Sequence, residues 1–190
     1  MQNISIRVWI IVGVCLVALQ ALILFLFGQP WICECGDIKL WEGVVRSSGN
    51  SQHISDWYTL SHVIHGFIFY GLLSYFVPRL SIGVRFALAI GVEVAWEILE
   101  NTPMVINYYR QQALAQGYIG DSIINSVSDT IAMLVGFYVA WKVPVKAAVA
   151  LAILLELIAL YFIRDNLFLN VLGFIYVFPF ITEWQMVGSP

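Results

Sequence analysis

Five predominantly apolar stretches follow one another along this chain, each close to the roughly 20 residues that a helix needs to cross the hydrocarbon of a bilayer. They constrain the fold more than any other feature. They run over residues 6–27, 58–77, 82–102, 121–141 and 146–163. Backbone N–H and C=O groups in lipid must be satisfied within their own segment, so stretches of this kind are expected to be α-helices. The composition agrees: 61% of residues are hydrophobic and 11% charged, and the mean hydropathy is +0.85, which excludes an ordinary soluble domain. The chain reads as an all-α integral membrane protein with a single membrane domain over 1–190. Its architecture is a bundle of five transmembrane helices plus a C-terminal segment, 167–181, interrupted by Pro179 and read as a short interfacial or re-entrant helix or a sixth span.

The boundaries come from breakers. Pro78-Arg79 closes the second segment, Pro103 the third, and Val143-Pro144 opens the fifth. The first run has Arg7 at its start and no acid inside it. It is longer than a signal-peptide core of about 7–15 residues, so it is read as a retained helix. Residues 28–57 turn polar, with Ser47-Ser48-Gly49-Asn50-Ser51 as their most hydrophilic part, and form the extracytoplasmic loop; Trp57 and Tyr58 then sit where interfacial aromatic anchors belong. Residues 107–120 are read as a loop or a short interfacial helix.

Orientation follows from Lys and Arg. With the N-terminus inside, the inner turns hold Arg7, Arg79, Arg85, Lys142 and Lys146 and no acid; the outer side holds Lys39, Arg46, Arg110 and Arg164 among many acids. This predicts a multi-pass protein of the bacterial inner membrane with a cytoplasmic N-terminus. The net charge of -3 comes without any run of Lys or Arg, so nucleic acid is not an expected partner.

The chemistry lies in the outer half of the bundle. Ser61-His62-Val63-Ile64-His65-Gly66 places two histidines in the opening turns of the second segment, about 7 and 12 Å below its outer end at 1.5 Å per residue. Glu100, Glu97 and Glu93 fall about 3, 8 and 14 Å below the outer end of the third segment, and Asp121, Asn125 and Asp129 about 0, 6 and 12 Å below that of the fourth. The steps are i, i+3; i, i+4, i+7; and i, i+4, i+8, so each set forms one helical stripe. Carboxylates in hydrocarbon cost several kcal/mol by most estimates and repel one another unless protons or a cation intervene.

Two histidines beside five acids make a site for Zn, Mn or Fe. The expected ligands are His62, His65, Glu97 and Asp121. Glu93 or Asp129 is the expected base, with Ser61 a further candidate catalytic group. Ser61, Ser122 and Ser126 are expected to orient substrate, Glu100 and Asn125 to contact substrate or support the ligands, Arg110 and Arg164 to clamp an anionic headgroup, and His53 and Asp56 either to cover the site or simply to end the loop. The competing structural explanation is a hydrogen-bonded polar core that holds helices together. Glu156, alone in the fifth segment, is expected to be paired or at the lipid edge. Cys33 and Cys35 stand apart, and a bridge across one residue is expected to strain disulfide geometry.

Four motifs carry a resemblance: His53-Ile54-Ser55-Asp56-Trp57-Tyr58, Ser61 to Gly66, Gly120-Asp121-Ser122-Ile123-Ile124-Asn125-Ser126, and Ile163-Arg164-Asp165-Asn166-Leu167. On these the chain resembles a family of multi-pass membrane proteins from proteobacteria whose function is unknown. A weaker similarity is to VanZ-like membrane proteins, which pair a histidine in one helix with acids in the next; Asp129 to Gly136 would match their later Asp-rich, Gly-ended helix, with Met133 where an Asn is usual. That resemblance implies envelope biology without a reaction.

Together these observations lead to the expectation of a membrane-embedded metal-dependent enzyme, a hydrolase or transferase acting from the outer side on a membrane lipid or lipid-linked envelope substrate. A metal or proton binding or transport protein, and a non-catalytic accessory subunit of a membrane complex, stay open as alternatives. A membrane-protein partner or a second copy of the chain are the protein partners compatible with it.

Overall fold

The computed structural model describes residues 5–115 and 117–187. Among these, eight α-helices and no strands are present: α1 Ile6–Leu26, α2 Thr59–Phe76, α3 Ile82–Glu100, α4 Pro103–Tyr109, α5 Ile123–Lys142, α6 Val145–Ile163, α7 Leu167–Ile175 and α8 Pro179–Met186. Three helices are long and apolar enough to cross a membrane: α1 (from Arg7), α5 and α6. Helices α2 and α3 reach 18 and 19 residues, but His62 and His65 in one and Arg85, Glu93, Glu97 and Glu100 in the other lower their apolar character. The outward faces of α1 and α6 are bare hydrocarbon, with Val14 64% and Leu157 56% exposed. Such contiguous apolar surface calls for lipid rather than water.

Local chemistry sets the helix ends. Ser5, Ser81, Ser122 and Asn166 each accept a backbone N–H two or three residues into the helix they open, and Pro103 sits at the start of α4, where its missing N–H costs nothing. The C-terminal apolar segment is not one helix. An extended stretch at 176–178 splits it into α7 and α8, about 14 and 12 Å long at 1.5 Å per residue, so neither spans a bilayer and a sixth spanning helix is not formed. Glu156 instead fixes where α7 begins. Its two carboxylate oxygens accept the N–H groups of Leu167 and Phe168, both at 3.0 Å, and cap α7 from the side of α6.

Helices α2 and α5 form the centre. Gly66 and Gly136 face each other where they cross: a Cβ on Gly66 would collide with the Met133 carbonyl oxygen and the Phe137 nitrogen, and one on Gly136 with the carbonyl of Val63. Two glycines therefore let the backbones touch, as small residues do between membrane helices. Around this crossing Ala89, Ile90, Val94, Met133 and Phe137 form a buried apolar core between α2, α3 and α5.

The loop between α1 and α2 folds back over the end of the bundle. Its Ser51 carbonyl accepts Ser122 N–H (2.9 Å), its Gln52 amide donates to the Gly120 carbonyl (2.8 Å), and its His53 carbonyl accepts Asn125 Nδ2 (2.9 Å). Three successive residues are thus tied to the entry of α5. Cys33 and Cys35 within this loop are joined by a disulfide, so the strain expected of so short a loop does not prevent closure.

Candidate metal centre

The polar stripes of α2, α3 and α5 meet. His62 lies in the first turn of α2, Glu93, Glu97 and Glu100 in the last two turns of α3, and Asp129 in the second turn of α5, so three helices deliver their ionisable groups at one end of the bundle. His62 Nδ1 lies 2.6 Å from Glu93 Oε1 and 3.2 Å from Glu97 Oε1, and its Nε2 faces Asp129 Oδ2 at 3.9 Å. His65 Nδ1 lies 3.1 Å from Glu93 Oε2. A single carboxylate, wholly buried, therefore binds both imidazoles through the same ring nitrogen. A carboxylate on Nδ1 fixes the ring and leaves Nε2 as the free ligand atom, as around many metal-bound histidines.

Two groupings have ligand atoms mutually within 4.8 Å: His62, His65 and Glu93, and His62, Glu97 and Glu100. Two buried carboxylate oxygens here make no hydrogen bond: Asp129 Oδ1, and Glu97 Oε1, which sits 3.2 Å from His62 Nδ1 while that nitrogen is held by Glu93. Unpaired buried acceptors are costly, and both lack the same thing, a donor or a cation. The donor set of imidazole and carboxylate suits Zn, Mn or Fe, so the residues fit a divalent ion.

A second layer holds the acids in place. Gln20, fully buried in α1, donates to the Ser126 carbonyl (3.0 Å) and hydroxyl (2.7 Å) and accepts from Thr130 Oγ1 (2.8 Å); the Ser126 hydroxyl in turn donates to Glu97 Oε2 (2.6 Å). Sequence reasoning missed Gln20 and Thr130. A lone amide in an otherwise apolar first helix was the available signal.

The other expected residues separate by role. Asp121 precedes α5 and does not join either ligand grouping; its oxygens accept the Tyr118 hydroxyl (2.8 Å) and Asn101 Nδ2 (2.7 Å) at the cavity rim. Burial pushes its carboxyl up to about 6, against the pull of those two hydrogen bonds. Ser61 lines the cavity. Ser122 caps α5 and donates to the Gln52 carbonyl, and Asn125 holds the loop, so both are structural in this arrangement. Asp56 ties the loop to α2, accepting Ser51 N–H (2.9 Å) and Tyr58 N–H (2.8 Å). His53 turns away, towards the Lys39 N–H and Glu42. It also lies with Cys33 and Cys35 in a third grouping, but the disulfide leaves no thiolate there to ligate. Arg110 donates to the Tyr118 carbonyl, and Arg164 to those of Trp184 and Val187; neither guanidinium lines the cavity.

The histidines and acids open onto a cavity of about 500 Å³. One wall is polar, with His62, His65, Glu100, Asp121, Asp129 and Asp165; the other is apolar and comes largely from the C-terminal helices, with Phe174, Val177, Phe178 and Ile181 beside Trp96 and Phe69. Asp165, after α6, ties the two walls together. It accepts the Tyr58 hydroxyl and Asn170 Nδ2, both at 3.1 Å, and faces Gln185 of α8.

Comparison with known proteins agrees with the resemblance read from the motifs. The family described as "Protein of unknown function (DUF2585)" matches residues 24–187. The chain is 55% identical over 177 residues to a UPF0314 protein of Rhizobium meliloti (strain 1021), covering 93% of this chain and 90% of the relative. It is 52% identical over 178 residues to that of Sphingopyxis alaskensis, covering 94% and 95%, and 48% identical over 169 residues to that of Paracoccus denitrificans (strain Pd 1222), covering 89% and 88%. No solved structure matches the chain.

Proposed function

The chain belongs to the DUF2585 family of proteins of unknown function, and because that membership names no chemistry, we propose its function from the geometry: a membrane-embedded metal-dependent enzyme, a hydrolase or transferase acting on a lipid-linked substrate. The observation that carries this reading is the convergence of His62, His65, Glu100 and Asp129 on the wall of one half-apolar cavity, with Glu93 and Glu97 bound to His62 directly behind it. In this proposal α2 and α3 span the bilayer beside α1, α5 and α6. The polar end faces the periplasm and the N-terminus the cytoplasm of a bacterial inner membrane.

The roles follow from contacts. His62, Glu97 and Glu100 form the ligand grouping, His62 and Glu100 at the cavity wall, with His65 beside them. Glu93 bonds both rings and orients them rather than serving as the base. Asp129, with one unpartnered oxygen and the other facing His62, is the group placed to accept a proton from an attacking water. A divalent ion would supply a water of lowered pKa and polarise the bond under attack. Transport is disfavoured by the apolar core of Ile90, Met133 and Phe137 beneath the polar layer, which offers an ion no onward ligands.

Metal analysis of the purified protein, wild type against His62→Ala and Glu97→Ala, tests the reading. Stoichiometric metal in the wild type, lost in both variants, is the expected result. Equal, negligible metal in all three sinks it and leaves a polar core that joins helices.

A further inference from the structure

The cavity carries information about its occupant beyond the metal. Its polar wall presents four carboxyl groups, Glu100, Asp121, Asp129 and Asp165, and no Lys or Arg lines it among the described residues. The arginines nearest in sequence, Arg110 and Arg164, donate to backbone carbonyls instead. Glu93 and Glu97 add two more acids just behind. The cavity wall therefore offers carboxyl oxygens as acceptors and no guanidinium or lysine ammonium to hold a phosphate.

Two further observations narrow the ligand. An unpartnered polar atom at this wall, the buried Asp129 Oδ1, is an acceptor in want of a hydrogen-bond donor, and Asp129 is 4% exposed. Tyr58, Tyr109, Tyr118 and Trp96 surround the same space, and aromatic faces beside carboxylates attract ammonium groups. The C-terminal side, with Phe174, Val177, Phe178 and Ile181, is largely apolar, while a cavity of about 500 Å³ suits a ligand of drug size rather than a lipid with two full chains.

We propose that the cavity takes a single-chain amphiphile with a primary ammonium headgroup, the ammonium among Asp129, Glu100 and the tyrosine hydroxyls and the chain against α7 and α8. This rests on the cavity being the reaction site, and it names the substrate class of that site. A primary ammonium offers three donors, one for the unpartnered Asp129 oxygen and two for the carboxyl and hydroxyl oxygens around it.

The test uses the full chain in dodecyl maltoside with two probes of equal chain length, dodecylamine and dodecyl phosphate, each kept below its own micelle concentration. Binding is read by native mass spectrometry and thermal shift, first with chelator and then with Mn²⁺. The amine is expected to bind at least about tenfold tighter than the phosphate under both conditions. Asp129→Asn is expected to bring the ratio to within about threefold, and Phe174→Ala to weaken both probes while keeping it. Phosphate binding as tight as the amine in the wild type overturns the proposal, and this comparison stands even where a variant fails to fold. Absence of metal uptake with the amine preference intact removes the metal centre alone; stoichiometric metal without the preference removes the ammonium inference alone.

Discussion

Replacing Gly136 by alanine probes the α2–α5 crossing that brings the histidines to the acids. A Cβ there would run into the Val63 carbonyl oxygen and lie 2.9 Å from the Val63 carbonyl carbon and 3.1 Å from its Cα. These are backbone atoms, which cannot swing aside as a side chain tip does. Ordinary carbon contacts need about 3.5–4.0 Å, so the helices must part by at least about half an ångström. Overpacking of this kind costs about 1–3 kcal/mol. The better helix propensity of alanine returns up to about 1 kcal/mol, leaving a net destabilisation of up to about 2 kcal/mol when that return is complete. Gly71, in the same helix as Gly66, has nothing within 4 Å of its would-be Cβ and serves as the control. Its alanine variant is expected to be neutral or up to about 1 kcal/mol more stable. Reversible unfolding in mixed micelles, followed by circular dichroism, gives both numbers. Gly136→Ala as stable as Gly71→Ala would refute the close crossing.

The same reasoning extends to three other residues. Gln20→Leu removes the amide shared by Ser126 and Thr130, so it is expected to cost about 1–3 kcal/mol of stability and, through Ser126 and Glu97, to weaken metal binding about tenfold; a metal titration with unchanged affinity would separate Gln20 from the site. Asp165 is held up to about 6 by burial, against hydrogen bonds from Asn166 N–H, Tyr58 and Asn170. A carboxyl raised above its unfolded value of 3.8 contributes stability that is fully present below that value and is lost as pH rises through about 6. Stability should therefore fall between about pH 4 and 6, and Asp165→Asn should flatten that fall while lowering stability at all pH, since its amide cannot accept from every donor; parallel pH profiles would contradict this. Glu156→Gln replaces one of the two acceptors that cap α7 with a donor, and faster proteolysis near residues 164–168, with the bundle core still protected, is the expected outcome.

Much of the site was legible before the fold. Spacing alone placed His62, His65, Glu93, Glu97 and Asp129 on stripes at one depth, and the structure brings those stripes together because the three helices end at the same side of the bundle. The assignment within the cluster was not legible. Glu93 and Glu97 are one turn apart on one stripe, and which of them bonds both imidazoles depends on the rotation of α3 against α2, set by packing that has no period in the sequence. Asp121 shares its stripe with Asp129 but lies before the first residue of α5, where Asn101 and Tyr118 claim its oxygens. Gly66 and Gly136 read as the ends of motifs. Their contact is a relation between two segments, and a missing Cβ leaves little trace in hydropathy. The break between α7 and α8 was signalled by Pro179, while the cap that Glu156 supplies from α6 came only with the fold. Arg110 and Arg164 looked available for a ligand because nearby backbone carbonyls are invisible in a sequence.

X-ray absorption at the zinc edge of the Zn-loaded protein is the most direct measurement of the metal centre. A shell of nitrogen and oxygen at about 2.0–2.2 Å, with imidazole scattering that His62→Ala removes, is the predicted result. A sulfur shell at about 2.3 Å would place the ion at Cys33, Cys35 and His53 instead; that spectrum, or one unchanged in His62→Ala, would contradict a centre built on α2, α3 and α5.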